Sequence, residues 1–552
     1  MAKNQNTFYL GLCLAGAVSA GAYTAGVMDF LIEALEEWER RRGEAGVPTH
    51  RVVIPVIGGA SAGGMTGIVA ASAINNPIEP IRYKDNIHKG KHPENKFYHT
   101  WVDLVEDEMF PVLLSNSDVT DKKVYSLFNS DFIDSVANRV LKVDKDNWQE
   151  REYFARELKV FTSLSNLEGF PYDISFKSGE DSDEYLLSRH SDFACFSLNK
   201  RQNKNNNDGW IPLSFKDELN TDIARDAAMA TGAFPVGLKA RTVTRSSEFI
   251  NDNPWFKDIT KNKPISTGNY KTINVDGGLI NNEPFGKVRE LLNEVAGCKG
   301  TDDFQNYDKF RSSILLIDPF PCEEEEFECN GELLQVVKHT FSAMMGHLRV
   351  KSTDLVDAMN SNLAGQYLLA PVAKRNNSDG TTERVRGSKA IACGAMGGFA
   401  GFLSKEFRIH DFFLGRANCE KFLRDHFTVR ADTSNAIFKD GYKDADRTKF
   451  TSNTDGGLQI IPIFTEQKKE KPIPVFNNGK KWPTFSEKEL KKFKKPLKTR
   501  IHSVLLNTFK LNRKIKPFMW LAAKLLLNRK LANETIGIIK ESLKKHHLLS
   551  SY

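Results

Sequence analysis

The residues best suited to do chemistry in this 552-residue chain are Gly59-Ala60-Ser61-Ala62-Gly63, which join the apolar run Val52 to Ile57 to a stretch of helical character beginning near Met65. A serine at such a G-x-S-x-G turn between strand and helix has its hydroxyl pushed outward, as a nucleophile requires. Gly59 and Gly63 clear the space two residues either side of it, where a Cβ would collide as the chain doubles back, and Gly58 and Gly64 widen that clearance. The helix that follows points its N-terminal dipole and free N–H groups at the turn, favouring negative charge there. A phosphate-binding P-loop would need lysine where the chain has Gly64.

A second stretch, Thr272 to Pro284, reads as a strand followed by Asp276-Gly277-Gly278-Leu279-Ile280-Asn281-Asn282-Glu283-Pro284. An aspartate at the C-terminal end of a strand lies on the sheet edge where α/β proteins bind ligands, and the glycines let its carboxylate turn toward a neighbouring strand end. A third stretch, Gly16 to Gly21, offers a glycine-containing turn ahead of a helix. For a Ser/His/Asp triad the chain offers His410-Asp411, although its setting, Phe407 to Phe413, is that of a packed, hydrogen-bonded histidine.

The elements that must hold these residues begin with a strand (Tyr9 to Ala15), the turn, a helix (Ala22 to Arg42), a strand (Val52 to Ile57) and the serine turn with its helix. This βαβα order implies a parallel sheet covered by helices. Pro55 cannot donate to a ladder, so the second strand is expected to be bulged or short. Only two strands precede Ser61, which sets the chain apart from α/β-hydrolases, where several do. Residues 76 to 156 read as a mainly helical insertion. Strands follow at Leu158 to Leu164, Tyr172 to Phe176 and Phe193 to Leu198, then a polar loop (Asn199 to Asp208), a helix (Asp222 to Ala230) and Thr231-Gly232-Ala233-Phe234-Pro235. Beyond the strand Ser313 to Ile317, residues 331 to 362 read as a long helix, and Ala392 to Phe402 as a glycine-rich packing segment.

Composition, 40% hydrophobic and 27% charged, fits a globular protein of more than one domain. Phe8 to Leu31 carries one charge, Asp29, yet its glycines break it into strand, turn and helix rather than a signal peptide or membrane span. Seven scattered cysteines suggest a reducing compartment and no metal-ligand pairing. The basicity is local: Lys480 to Tyr552 carries nineteen Lys/Arg against four Glu, a net +15 that leaves −8 for the rest of a chain of net +7. Apolar spacing there (Ile501, Val504, Leu505, Phe509; Ile536, Ile539, Leu543) suits basic amphipathic helices, which lie on anionic membranes or pack on the body of the protein. The tail has no nucleic-acid-binding motif.

The three stretches together, in this order, resemble the patatin-like lipid acyl hydrolases over about residues 7 to 320. The resemblance implies a three-layer α/β fold with a mainly parallel central sheet, a catalytic pair of Ser61 and Asp276 without histidine, and an oxyanion loop at Gly16, Ala17, Val18 and Gly21, with Ala62 beside it. Gly59, Gly63, Gly277 and Gly278 would support the turn and the aspartate loop. The loop departs from the family pattern: Ala17 and Val18 stand where glycines are usual and Ala20 where arginine is. β-Branched Val18 would be strained at positive φ. The resemblance implies cleavage of phospholipid or other acyl-lipid esters through an acyl-serine, with no cofactor or metal. It needs an aspartate whose pKa burial has raised, since a carboxyl near 3.9 is a poor base. A catalytically silent lipid- or protein-binding module on the same scaffold is the alternative. The expected layout is a catalytic domain 1–320, a largely helical extension 321–465 and a basic tail 466–552, in a cytoplasmic protein peripheral on membranes.

Overall fold

The computed structural model describes residues 6–82, 95–120, 122–178, 181–199, 208–297, 306–321, 331–332, 335–336, 339–340, 343, 365–376, 381–464, 473–508 and 528–550. At its centre, β1 (Thr7–Leu14) is buried on both faces, as its unbroken apolar sequence requires. It pairs in parallel with β2 (Arg51–Gly59) on one side and β8 (Ser312–Ile317) on the other. Outward from β2 come β3 (Phe154–Ser178), β4 (Asp181–Leu198) and β5 (Ile211–Leu213); β9 (Gln366–Leu369) flanks β8. β3 and β4 form a long antiparallel hairpin. Two further strands, β6 (Arg241–Ser246) and β7 (Asn269–Asp276), join antiparallel, β7 pairing with β3. Among the described residues this makes a nine-stranded, mixed sheet with a parallel centre.

The register of β2 slips between Ile54 and Val56 against β3, and its pairing with β1 slips at the same place. Pro55 therefore sits in a bulge, where its missing N–H breaks no ladder bond.

Helices cover the sheet. α1 (Gly21–Arg41) follows a short 3₁₀ turn at Val18–Ala20. α2 (Ser61–Ala73) starts four residues earlier than the sequence suggests, with the serine as its first residue. α3 is Thr221–Thr231 and α4 is Phe285–Ala296. Between α2 and β3 the longest described helix is Asp131–Val140; Lys96–Tyr98, which runs on into a π turn at His99–Asp103, and Phe110–Leu113 are short pieces in irregular chain. The segment is thus less helical than its sequence suggests, because loops there are held by side chains such as Arg408, which donates to the carbonyls of Val102, Glu106 and Asp107.

The C-terminal part is packed into the same core, which runs from Phe8 to Leu548. α5 (Lys405–Asp425) crosses α1 so closely that a Cβ on Gly26 would lie 1.9 Å from Phe412 O, and one on Gly415 2.2 Å from Tyr23 O. Arg416 of α5 ion-pairs with Asp29 and Glu33 of α1, all three buried. This accounts for the single charge in the apolar N-terminal stretch. Val18–Arg41 is long and apolar enough to cross a membrane by length and composition, but 94% of its apolar 18-residue window is buried inside the protein. The tail then holds a short helix (Glu487–Lys492), α6 (Lys494–Thr508) and α7 (Asn528–Lys545). Most of the helix expected over 331–362, the apolar block Phe518 to Leu527, Phe509 and most of the loop Asn199 to Asp208 lie outside the described residues.

Candidate active site

β3 brings the two chemical stretches together. Its Thr162 pairs with Gly59 of β2 and with Ala194 of β4, while Leu164 pairs with Asp276 of β7 and with Asp192 of β4. Since β4 occupies one edge of β3, β2 and β7 share the other and run toward each other along it. Their ends stop two β3 residues apart, and Ser61 and Asp276 meet in that gap.

Ser61 Oγ donates to Asp276 Oδ2 at 2.6 Å. The second carboxylate oxygen, Oδ1, accepts the Gly278 N–H at 2.7 Å. The aspartate backbone is fixed as well: its N–H reaches Ala233 O (2.9 Å) and its carbonyl accepts Ser165 Oγ (2.8 Å). Both side chains are nearly buried, Ser61 7% and Asp276 6% exposed. Burial pushes the Asp276 carboxyl up to about 7, against the opposing pull of its bonds from Ser61 and Gly278.

Ser61 has φ +50°, a left-handed backbone that a non-glycine residue adopts only under constraint. Its N–H donates to Thr231 Oγ1 at 2.9 Å, one constraint that holds it there. Gly63 is another: a Cβ there would stand 2.1 Å from Leu14 O, so α2 can leave the sheet at this angle only over a glycine. A Cβ on Gly59 would lie 2.7 Å from Gly63 C across the turn. In the aspartate loop, a Cβ on Gly277 would lie 2.0 Å from Ser163 O, and one on Gly278 2.6 Å from Asn282 Oδ1.

The Gly16 to Val18 loop borders Ser61: a Cβ on Gly16 would be 2.8 Å from Ser61 Cβ and 2.3 Å from Asn282 Oδ1. Among the described residues, the N–H groups of Ala17, Val18, Ala62 and Gly63 have no hydrogen-bond partner. Such groups at a loop and a helix N-terminus are the donors an oxyanion needs. Val18 takes φ +49°, the conformation that its β-branched side chain resists. Gly21 differs from the expectation. Its N–H bonds back to Val18 and Ser19 carbonyls and its α-carbon lies under the Trp101 ring, so it is a packing residue that opens α1 rather than a donor to the site.

Several residues at the site were assigned no role from the sequence. Thr231 ends an alanine-rich helix, Asn282 sits in a polar run, and Ser163 and Ser165 are ordinary strand residues; only the fold puts them beside the serine and the aspartate. The segment 392–402 also reaches the site. Ser19 Oγ donates to Gly398 O and accepts the Gly401 N–H (3.1 Å), and Gly398 lies against Val18 Cβ and Ala17 O. The glycine-rich segment thus backs the 16–18 loop from the outside.

His410 plays no part in this arrangement. Its Nδ1 bonds the Asp411 carboxylate at 2.8 Å and its ring meets Trp482 edge-on at 4.8 Å. The Asp411 oxygens also accept the N–H groups of Ala392 and Cys393, at 2.7 and 2.9 Å. The pair therefore anchors the 392–402 segment, and the triad expected as an alternative is not formed because Ser61 Oγ is bonded to Asp276. Among the described residues no group of three or more His, Cys, Asp or Glu is arranged to hold a metal ion.

Comparison with known proteins agrees with this geometry. A protein of Sinorhizobium fredii (strain NBRC 101917 / NGR234), called uncharacterized protein y4iI, is 29% identical to this chain over 557 aligned positions, covering 90% of this chain and 76% of the relative. Residues 12–288, which span the 16–18 loop, the serine turn and the aspartate loop, match the family model described as patatin-like phospholipase. The chain belongs to the patatin-like phospholipase family, a family of lipid acyl hydrolases.

Proposed function

We propose that the protein hydrolyses carboxylic ester bonds of phospholipids or other acyl lipids through a Ser61/Asp276 dyad and an acyl-serine intermediate. The observation that carries this reading is the 2.6 Å hydrogen bond from Ser61 Oγ to a buried carboxylate raised to about 7. At that pKa Asp276 is a competent base near neutral pH, which an ordinary carboxylate is not.

The steps follow from the contacts. Ser61 Oγ attacks the ester carbonyl as its proton passes to Asp276 Oδ2. The carbonyl oxygen, now an oxyanion, is stabilised by the N–H groups of Ala17, Val18 and Ala62, at about 3 kcal/mol per well-placed donor. Collapse of the tetrahedral adduct breaks the bond to the leaving alkoxide, which takes the proton from Asp276. Water then attacks the acyl-serine, giving its proton to Asp276, and the fatty acid leaves as Ser61 recovers its hydrogen. Gly278 N–H orients the carboxylate throughout from its Oδ1 side.

The silent-scaffold alternative rested on Ala17 and Val18 in place of glycines. Val18 nevertheless adopts a glycine-like φ, and that favours a working loop. Labelling with a fluorophosphonate serine probe, followed by release of fatty acid from phospholipid, tests the reading. Failure of the wild type to label and to hydrolyse would refute it.

A further inference from the structure

The surface beside the 16–18 loop is apolar and partly bare. Val236 is 72% exposed and Leu127 46% exposed, and the Leu127 N–H bonds to Val236 O at 2.9 Å. Phe234 and Phe128 both meet the Phe399 ring, at 5.7 and 6.1 Å. The neighbouring Gly398 abuts Val18, so the strip continues to the segment next to the nucleophile. Val18, Met396 and Phe399 are only half-buried. Contiguous exposed apolar surface of this kind marks a contact site.

The basic helices are fastened to this strip. Buried Arg500 of α6 donates to Leu127 O (2.8 Å) and Ser126 O (3.0 Å) and pairs with Asp118 (2.9 Å). Ser542 of α7 accepts the Met396 N–H at 2.8 Å. Just before α6 and in its first turn, and at the end of α7, stand the exposed cations Lys491, Lys492, Lys494, Lys495 and Lys545. The carboxylates nearby are engaged: Glu487 with Lys540, Glu541 with Lys544, and Glu489 in capping its own helix. Cations on helices anchored to a strip with bare aliphatic side chains match the phosphates and acyl layer of an anionic bilayer. A nucleic acid would leave Val236 and Leu127 without a role.

Resting on the hydrolase reading above, we propose that this face docks the protein on an anionic lipid surface. The lysines contact lipid phosphates, Val236 and Leu127 enter the interface, and the site is presented to the layer that holds its esters.

The test is co-sedimentation of full-length Ser61→Ala protein with vesicles of phosphatidylcholine alone or mixed with phosphatidylglycerol, so that binding is read without turnover. We expect binding to the mixed vesicles to exceed binding to phosphatidylcholine by about tenfold or more and to fall as salt rises. Combined Lys491→Glu, Lys492→Glu, Lys494→Glu and Lys495→Glu should abolish that preference, and Val236→Asp with Leu127→Asp should weaken binding to both vesicles. In the Ser61 background, both variants should retain hydrolysis of a short soluble ester. Equal binding by all variants, or charge-dependent binding to duplex DNA without a vesicle preference, would overturn the proposal. Vesicle binding as expected in a protein that hydrolyses no ester would keep the surface and discard the hydrolase.

Discussion

Ser61 Oγ and Asp276 Oδ2 lie within one short hydrogen bond although 215 positions separate the two residues. β3 makes this possible, by aligning the ends of β2 and β7 along one edge. Ser61→Ala should lower kcat/KM for a lipid ester by about 10⁴-fold or more, and Asp276→Asn should come close to it, since the groups act as a unit. The measurement is initial-rate kinetics on both purified variants; near-normal rates in either would remove the dyad.

In the proposed mechanism Asp276 acts as a base only when ionised. With its carboxyl at about 7, kcat/KM should climb as pH rises through that value and level off above it. A flat profile between pH about 5 and 8 would contradict this.

The same shift has a stability consequence of opposite sense. An unfolded aspartate titrates near 3.8, so between that value and about 7 the folded protein holds a proton that the unfolded chain releases. Raising pH across this window therefore lowers stability, because ionising the buried carboxyl is unfavourable. Asp276→Asn removes that penalty. Its gain in denaturant midpoint over wild type should be larger at pH about 8 than at about 5, and equal gains at both would refute the assignment.

Two glycines on α2 should respond differently to alanine. A Cβ on Gly63 would meet the backbone oxygen of Leu14 at 2.1 Å, whereas one on Gly67 would meet side-chain atoms, Ile57 Cγ2 at 3.3 Å and Val160 Cγ1 at 4.0 Å. Gly63→Ala should cost several kcal/mol, on the order of 3 or more, or prevent folding. Gly67→Ala should stay within about 1 kcal/mol of wild type, helix propensity offsetting the close contact. Thermal or urea unfolding distinguishes them.

Gly398, at φ +96° and with a would-be Cβ 3.1 Å from Val18 Cβ, backs the 16–18 loop. Gly398→Ala should lower kcat by about tenfold through displaced donors while labelling of Ser61 persists. His410→Ala should leave kcat/KM for a soluble ester close to wild type after correction for any loss of folded protein. Loss of activity in fully folded His410→Ala protein would return the histidine to the mechanism.

Where the physics is local, the sequence was readable. The strand before Ser61, the strand before Asp276 and the βαβα opening follow from apolar runs of strand length broken by glycine, and Pro55 announced its own bulge. The start of α2 was misplaced because Gly63 and Gly64 read as turn residues. In the fold they are tolerated inside a helix because Leu14 O and Thr162 Oγ1 press against them. The insertion looked more helical than its described residues are because apolar residues such as Tyr98 and Trp101 serve packing on α5 and α1 rather than one helix face.

The sequence alone pointed to the groups proposed to react, Ser61 and a carboxylate at 276, and to the glycines that such turns require, since these are properties of residue type and short-range sterics. Only the tertiary structure decided that the two meet, that burial lifts Asp276 to about 7, that Thr231 holds the Ser61 N–H, and that the 392–402 segment backs the 16–18 loop. Each of these depends on strand order and on the desolvation of groups far apart in the chain, and neither sheet register nor local dielectric is written in any short stretch of residues.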